Sequence, residues 1–183
     1  IQEIVTINKN SNDYKNFEFD LITNFSTTSP ISEEDFNSMD DSEIIESLYR
    51  NLSDYYETKK ENNKELAFPV IRNVYENKGN NYKRIVVPFT DGAKVINIST
   101  DLKESFESKC KTLIDDFEKN ISLAIIDDKW KVHLKKMDEL KQSVQLAVHE
   151  QKDPLLIYKF EAYELFKNMI VELNKELLSF LFK

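Results

Sequence analysis

Glycine is nearly absent from this chain: Gly79 and Gly92 are the two in 183 residues, and proline adds four. So few turn formers do not suit a fold of many short strands joined by tight turns, and long helices are the expectation. The single cysteine, Cys110, excludes an intramolecular disulfide and fits a reducing compartment. No apolar run approaches the ~18 residues that cross a membrane, and no signal-like apolar segment opens the chain. Two scattered glycines cannot form a phosphate loop of the GxxxxGK kind. The two histidines, His133 and His149, lie about 24 Å apart on a straight helix, too far to share a metal. Neither a catalytic residue nor a metal site is expected.

What is present is apolar enough to fold. With 40% hydrophobic and 11% aromatic residues, the chain can build one good core or two small ones. Its net charge of −8, from 25 Lys+Arg against 33 Asp+Glu, disfavours nucleic acid as a partner. The imbalance is uneven. Residues 1–100 carry 11 basic and 17 acidic side chains. Residues 129–152 carry Lys129, Lys131, Lys135, Lys136, Lys141 and Lys152 against Asp138, Glu139 and Glu150. The plain reading of that positive stretch is a solvated helix face; the sharper one is a patch that meets an anionic or carbonyl-rich surface. The first residue is Ile1 rather than methionine, and a piece of something larger is expected.

Apolar spacing divides the chain. Tyr14, Phe17, Leu21, Ile22 and Phe25 recur at helical intervals and end at Thr27-Thr28-Ser29-Pro30. Ser32 opens a short helix with Glu33, Glu34 and Asp35 at its positive end. From Ser42 a longer helix runs through Ile45, Leu48, Leu52 and Tyr56 towards Val74 and Tyr75, kinked or split at Pro69. The period then changes to two: residues 85–89 and 94–98 flank Thr90-Asp91-Gly92, a β-hairpin signal. Residues 102–148 read as one helix of about 70 Å, opened by Asp101 with Glu104 three residues on. Its apolar stripe runs from Phe106, Cys110, Leu113 and Phe117 to Leu140 and Val144, with a bend near 127–130.

At 148–161, VHEQKDPLLIYKFE, two patterned helices meet at a polar turn. Asp153 suits an N-cap and Pro154 the first helical position, because proline lacks the amide that would be orphaned there. Proline also disfavours helical geometry at Asp153, so the preceding helix stops by about Glu150 and the chain reverses. The second helix, 154–182, is shorter than the first. Phe106, Leu113 and Phe117 must therefore be buried by the first region or by a missing part of the parent.

Several residues that suggest chemistry have plainer roles. Trp130 and His133, three apart on one helical face, read as a core anchor with a bonded histidine beside it. Cys110, on the apolar stripe, reads as a packed side chain rather than a nucleophile. Phe160, Phe166, Met169, Phe180 and Phe182 are core or a partner-facing stripe.

Residues 126–169, IDDKWKVHLKKMDELKQSVQLAVHEQKDPLLIYKFEAYELFKNM, resemble the C-terminal helical hairpin of the SecA family, the motor ATPases of bacterial protein export. Trp130, His133-Leu134, Met137-Asp138, Leu140, Gln151-Lys152-Asp153-Pro154, Tyr158-Lys159, Glu161 and Leu165-Phe166 carry the likeness. Upstream, SPISEEDF, AFPVIRNVYENKG and VPFTDGAKVINIS resemble the wing of the family's long version, of the kind seen in Bacteroidetes. The resemblance implies a mainly α fold: a helical wing subdomain with a small β-hairpin, followed by a long antiparallel helical hairpin. Residues 1–100 would be the wing region with the end of the preceding scaffold helix, and 101–183 the scaffold hairpin, or two-helix finger.

The resemblance also implies roles. The finger tip, Val148, His149, Glu150, Gln151 and Lys152, would contact the mouth of a SecYEG-like channel and the unfolded preprotein. Asp153 and Pro154 would form the structural turn, and Trp130, His133, Leu134, Met137, Tyr158 and Phe166 would be core anchors. Other SecA domains, an anionic membrane surface and a homodimer are further partners in that picture, and nucleic acid is not. ATP and Mg belong to the parent's nucleotide-binding domains, so this fragment would need no cofactor and would not be an enzyme. Localisation would be cytoplasmic, peripheral on the cytoplasmic face of the inner membrane. His149 departs from the family, which usually has tyrosine there, and brings an imidazole, a group with an unperturbed pKa of about 6.5. The alternative reading is a stand-alone helical interaction module, an adaptor or chaperone with a coiled-coil arm. An enzyme comes last.

Overall fold

The computed structural model describes residues 1–79, 81–90, 92, 94–146 and 153–183. Their elements run α1 (Gln2–Ser11), α2 (Tyr14–Phe25), α3 (Glu33–Ser38), α4 (Asp41–Lys78), β1 (Arg84–Thr90), β2 (Val95–Asp101), α5 (Leu102–Glu107), α6 (Lys111–Leu146) and α7 (Pro154–Phe182). The chain is mainly α with one antiparallel hairpin, β1 against β2, in register from Arg84 opposite Asp101 to Thr90 opposite Val95. Two compact units result, one of Ile1–Glu118 with Ser179–Lys183, the other of Lys119–Leu178. That division differs from one at residue 100, because Phe106, Leu113 and Phe117 pack into the first unit.

Short-range chemistry sets most helix starts. Asp13 accepts the Asn16 amide at 2.9 Å, Ser32 that of Asp35 at 3.1 Å, and Asp101 that of Glu104 at 3.0 Å. Each satisfies an amide the first turn leaves unpaired. α4 begins one cap earlier than Ser42: Asp40 is its N-cap, and the Glu43 carboxylate returns to the Asp40 amide at 3.2 Å. Pro69 does not split α4, which continues helical to Lys78.

In the first unit, Val5, Phe17, Leu21, Phe25, Phe36, Ile44, Leu48, Leu52 and Phe182 form one buried cluster. The Phe17 and Phe36 rings lie 4.7 Å apart, and Phe182 packs 5.4 Å from both Phe25 and Tyr56. A second cluster joins Ile71, Leu102, Cys110 and Leu113 to the inward side chains of the hairpin, Ile85, Val87 and Phe89. Phe106 stacks 4.4 Å from Tyr75, and Phe117 stacks 4.3 Å from Phe89. The first region thus covers the end of the long stripe, as its lack of a hairpin partner demands.

Residues 102–148 are not one helix. α5 ends at Glu107, and Lys109 and Cys110 take left-handed φ values of 52° and 66°. The Cys110 amide donates to the Ser105 carbonyl at 2.7 Å, closing α5, and Ser108 Oγ accepts the Thr112 amide at 3.1 Å, opening α6. The break escaped the apolar spacing because Phe106 and Cys110 remain four apart across it. α6 then stays helical through residues 127–130.

Candidate functional site

The candidate site is the turn between α6 and α7, and what the structure describes is its flanks. Asp153 Oδ1 accepts the Leu155 amide at 3.0 Å, and Pro154 is the first residue of α7. The expected cap and first helical position are both in place. Val148, His149, Glu150, Gln151 and Lys152 lie outside the described residues.

Behind the turn, the second unit is an antiparallel pair. Lys129 Nζ reaches Glu176 Oε2 at 2.8 Å and Glu172 Oε2 at 3.7 Å. Its bond to Glu176 raises the Lys129 ammonium pKa, so the brace is charged at neutral pH. Further along, His133 meets Phe166 with ring centroids 5.9 Å apart. Closer to the turn, a shallow groove of about 420 Å³ is lined by Lys136, Leu140 and Ser143 from α6 and by Glu161, Leu165 and Asn168 from α7. As α6 advances its partners on α7 recede, which is the antiparallel register. Leu140, Val144 and Met169 are buried along this seam.

The anchors divide. His133 is buried, while Met137 and Tyr158 are half-buried. Trp130, Leu134 and Phe166 are 45%, 48% and 45% exposed, so they do not anchor a buried core in this chain. Two helices share a single face, and among the described residues no third element covers an apolar side chain on the flank of that face. His133 Nδ1 is buried without a hydrogen-bond partner.

The positive stretch is largely compensated along its own helix. Lys131 pairs with Asp127, Lys135 with Glu139 at 4.0 Å, and Lys141 with Asp138 at 3.8 Å, all exposed. Such surface pairs contribute little stability, yet they dilute the local field. The solvated-face reading fits these residues.

Among the described residues no group of three or more His, Cys, Asp and Glu could hold a metal ion, and no helix is long and apolar enough to cross a membrane. The Cys110 thiol is buried, and burial raises its pKa, which disfavours the reactive thiolate. A cavity of about 1020 Å³ in the first unit mixes Lys78, Lys83 and Lys103 with Asp101, Glu104 and Glu107, so no single charge converges on it.

The decisive comparison is with a family model, the SecA wing and scaffold domain, which matches residues 1–183. This chain belongs to that family. The SecA protein translocase subunit of Flavobacterium psychrophilum is 61% identical over 180 residues, covering 98% of this chain and 16% of that protein. The SecA subunit of Christiangramia forsetii is 57% identical over 182 residues, 100% of this chain and 16% of the relative. That of Parabacteroides distasonis is 42% identical over 168 residues, 92% of this chain and 15% of the relative. The chain thus spans about a sixth of the length of the SecA subunits it matches. No solved structure matches it. The likeness to the SecA hairpin and to the Bacteroidetes wing is borne out by these relatives. Sequence reasoning missed the Lys129–Glu176 brace, because pairing across α6 and α7 needs a register that no local pattern encodes.

Proposed function

We propose that this chain is the wing and scaffold region of a SecA-type protein translocase, and that its α6–α7 hairpin carries motion from ATP-driven domains to a moving polypeptide. The observation that carries the reading is the family match over the whole chain, joined to an antiparallel helix pair whose second helix is capped by Asp153. Val148, His149, Glu150, Gln151 and Lys152 form the contacting tip, facing a SecYEG-like channel and the unfolded preprotein. Asp153 and Pro154 fix where the tip ends. ATP and Mg are used by the parent's nucleotide-binding domains, and other SecA domains pack around the first unit. The protein works in the cytoplasm, peripherally on the inner membrane.

Unlike tyrosine, histidine pairs a flat ring with a group whose unperturbed pKa, about 6.5, lies near neutral pH. The test is preprotein translocation by the full-length motor carrying His149→Ala or His149→Tyr. Loss of transport in the alanine variant with ATP hydrolysis retained, and recovery in the tyrosine variant, is expected. Normal transport by His149→Ala would remove the role of this residue. A free-standing adaptor is not favoured, since the relatives are single long SecA subunits.

A further inference from the structure

The β-hairpin of the first unit has two edges, and they are built differently. The Leu102 amide donates to the Lys83 carbonyl at 2.9 Å, next to the register pair Arg84 and Asp101. Antiparallel ladders alternate between pairs that exchange backbone bonds and pairs that do not. Ile85, Val87 and Phe89 therefore bond to Thr100, Ile98 and Ile96. The backbone groups of Arg84, Val86, Pro88 and Thr90 on β1, and of Val95, Asn97 and Ser99 on β2, point away from the partner strand. Pro88 falls in this outward set, so its missing amide leaves the ladder whole and takes a donor out of the middle of the β1 edge. Its register partner is Asn97, which keeps its amide. At the base of β2 the edge is covered, because the Arg84 guanidinium donates to the Ser99 carbonyl at 2.7 Å and to Ser99 Oγ at 3.0 Å. Towards the tip it is open. Val95 is 65% exposed, Asn97 is exposed, and among the described residues the outward backbone groups of both have no partner. Ile98 and Thr100, on the opposite face of the strand, are fully buried, so the open edge is carried on a packed base.

We propose that the outward edge of β2, from Val95 to the Ser99 amide, is a strand-addition site, and that its occupant is an extended segment of the unfolded preprotein. The choice of occupant rests on the proposed function. An unpaired strand edge is a template on which another chain adds by main-chain hydrogen bonds. What this edge offers is backbone, so it selects an extended conformation rather than a sequence. A folded partner has already paired its own amides and carbonyls, whereas an unfolded chain of any sequence still has them to give. Val95 and the 61% exposed Val86 add an apolar flank on the outer face, beside which an apolar side chain of the incoming strand can lie. The bonds are few, and each is modest once water has been displaced. A segment held in this way is released again, as a chain in transit has to be. The proline at position 88 confines the addition to one side, so the hairpin takes up a single strand.

The experiment is amide hydrogen exchange, resolved to single residues, in the full-length translocase alone and with a preprotein stalled in transit. In the wild type the amides of Val95, Asn97 and Ser99 exchange about tenfold more slowly in the stalled complex, while those of Val86 and Thr90 on the β1 edge do not change. Asn97→Pro removes an outward donor and leaves the β1–β2 ladder bonded, as Pro88 does across from it. It loses the added protection at Val95 and Ser99, whereas Asn97→Ala, which keeps the amide, retains it. Exchange at Val95, Asn97 and Ser99 that is equal with and without preprotein in the wild type overturns the proposal, even if the proline variant fails to fold. Loss of protection in Asn97→Ala equal to that in Asn97→Pro overturns it as well, because the contact would then be made by the side chain. Slowing that needs no preprotein and grows with protein concentration would place a second copy on the edge and also overturn it. Failure to form any stalled complex contradicts the translocase reading itself, whereas a stalled complex with unchanged edge amides contradicts the strand-addition site alone.

Discussion

At Lys109 and Cys110 two consecutive side chains sit on left-handed backbone, at φ 52° and 66°, in a chain whose two glycines lie elsewhere. That conformation costs a non-glycine residue roughly 1–2 kcal/mol. Cys110 is buried in the second core cluster, so packing offsets the strain there; Lys109 is exposed and gains nothing comparable. Lys109→Gly should therefore unfold in urea at or above the wild-type midpoint, while Lys109→Val loses about 1–2 kcal/mol because a β-branched side chain fits this region worst. Tyr56 gives a pH signature. Its hydroxyl donates to Glu118 Oε1 at 3.0 Å, and burial, reinforced by the Glu118 charge, holds the phenol well above its ordinary value. With the folded pKa above the unfolded one of about 10, the contribution is fully present below pH 10 and is lost as pH rises through the folded value. Wild-type stability should fall above about pH 10, and Tyr56→Phe, about 1 kcal/mol weaker at pH 8, should fall less steeply. Parallel urea midpoints at pH 8 and pH 11 would contradict this.

At the scale of elements, α4 stays helical through Pro69, an exposed position where the ring withholds an amide from the helix. Since nothing described uses the proline, Pro69→Ala should raise the unfolding midpoint, by up to about 3 kcal/mol. An unchanged or lowered midpoint would mean that the proline itself is needed where it stands in α4. The caps at Ser32, Asp101 and Asp153 were legible in the sequence because each acts on an amide two or three residues away. The β-hairpin was legible from its period-two burial around Gly92. The α5–α6 break was not. Its cause is a backbone reversal at Lys109 and Cys110, residues with no preference for left-handed geometry, and the spacing of Phe106 and Cys110 masks it. For the same reason the exposure of Trp130, Leu134 and Phe166 was missed: periodicity marks a side chain as apolar-facing but does not say whether a third element is present to cover it.

For the whole molecule, membership of the SecA wing and scaffold family and the antiparallel helix pair are the two observations on which the proposed lever rests. The Lys129 brace to Glu172 and Glu176 belongs at this scale, because a lever transmits motion only while its two helices move as one. Lys129→Ala should uncouple the full-length motor, lowering transport per ATP hydrolysed while ATP hydrolysis itself continues; unchanged coupling would assign the brace to stability alone. The most direct measurement is photocross-linking from position 149 of the full-length translocase during transport of a stalled preprotein, with position 34, the exposed Glu34, as reference. Cross-links from position 149 to both preprotein and channel, absent from position 34 and dependent on ATP, are the predicted result. Cross-linking from position 149 no greater than from position 34 would contradict the claim that this turn is the working tip.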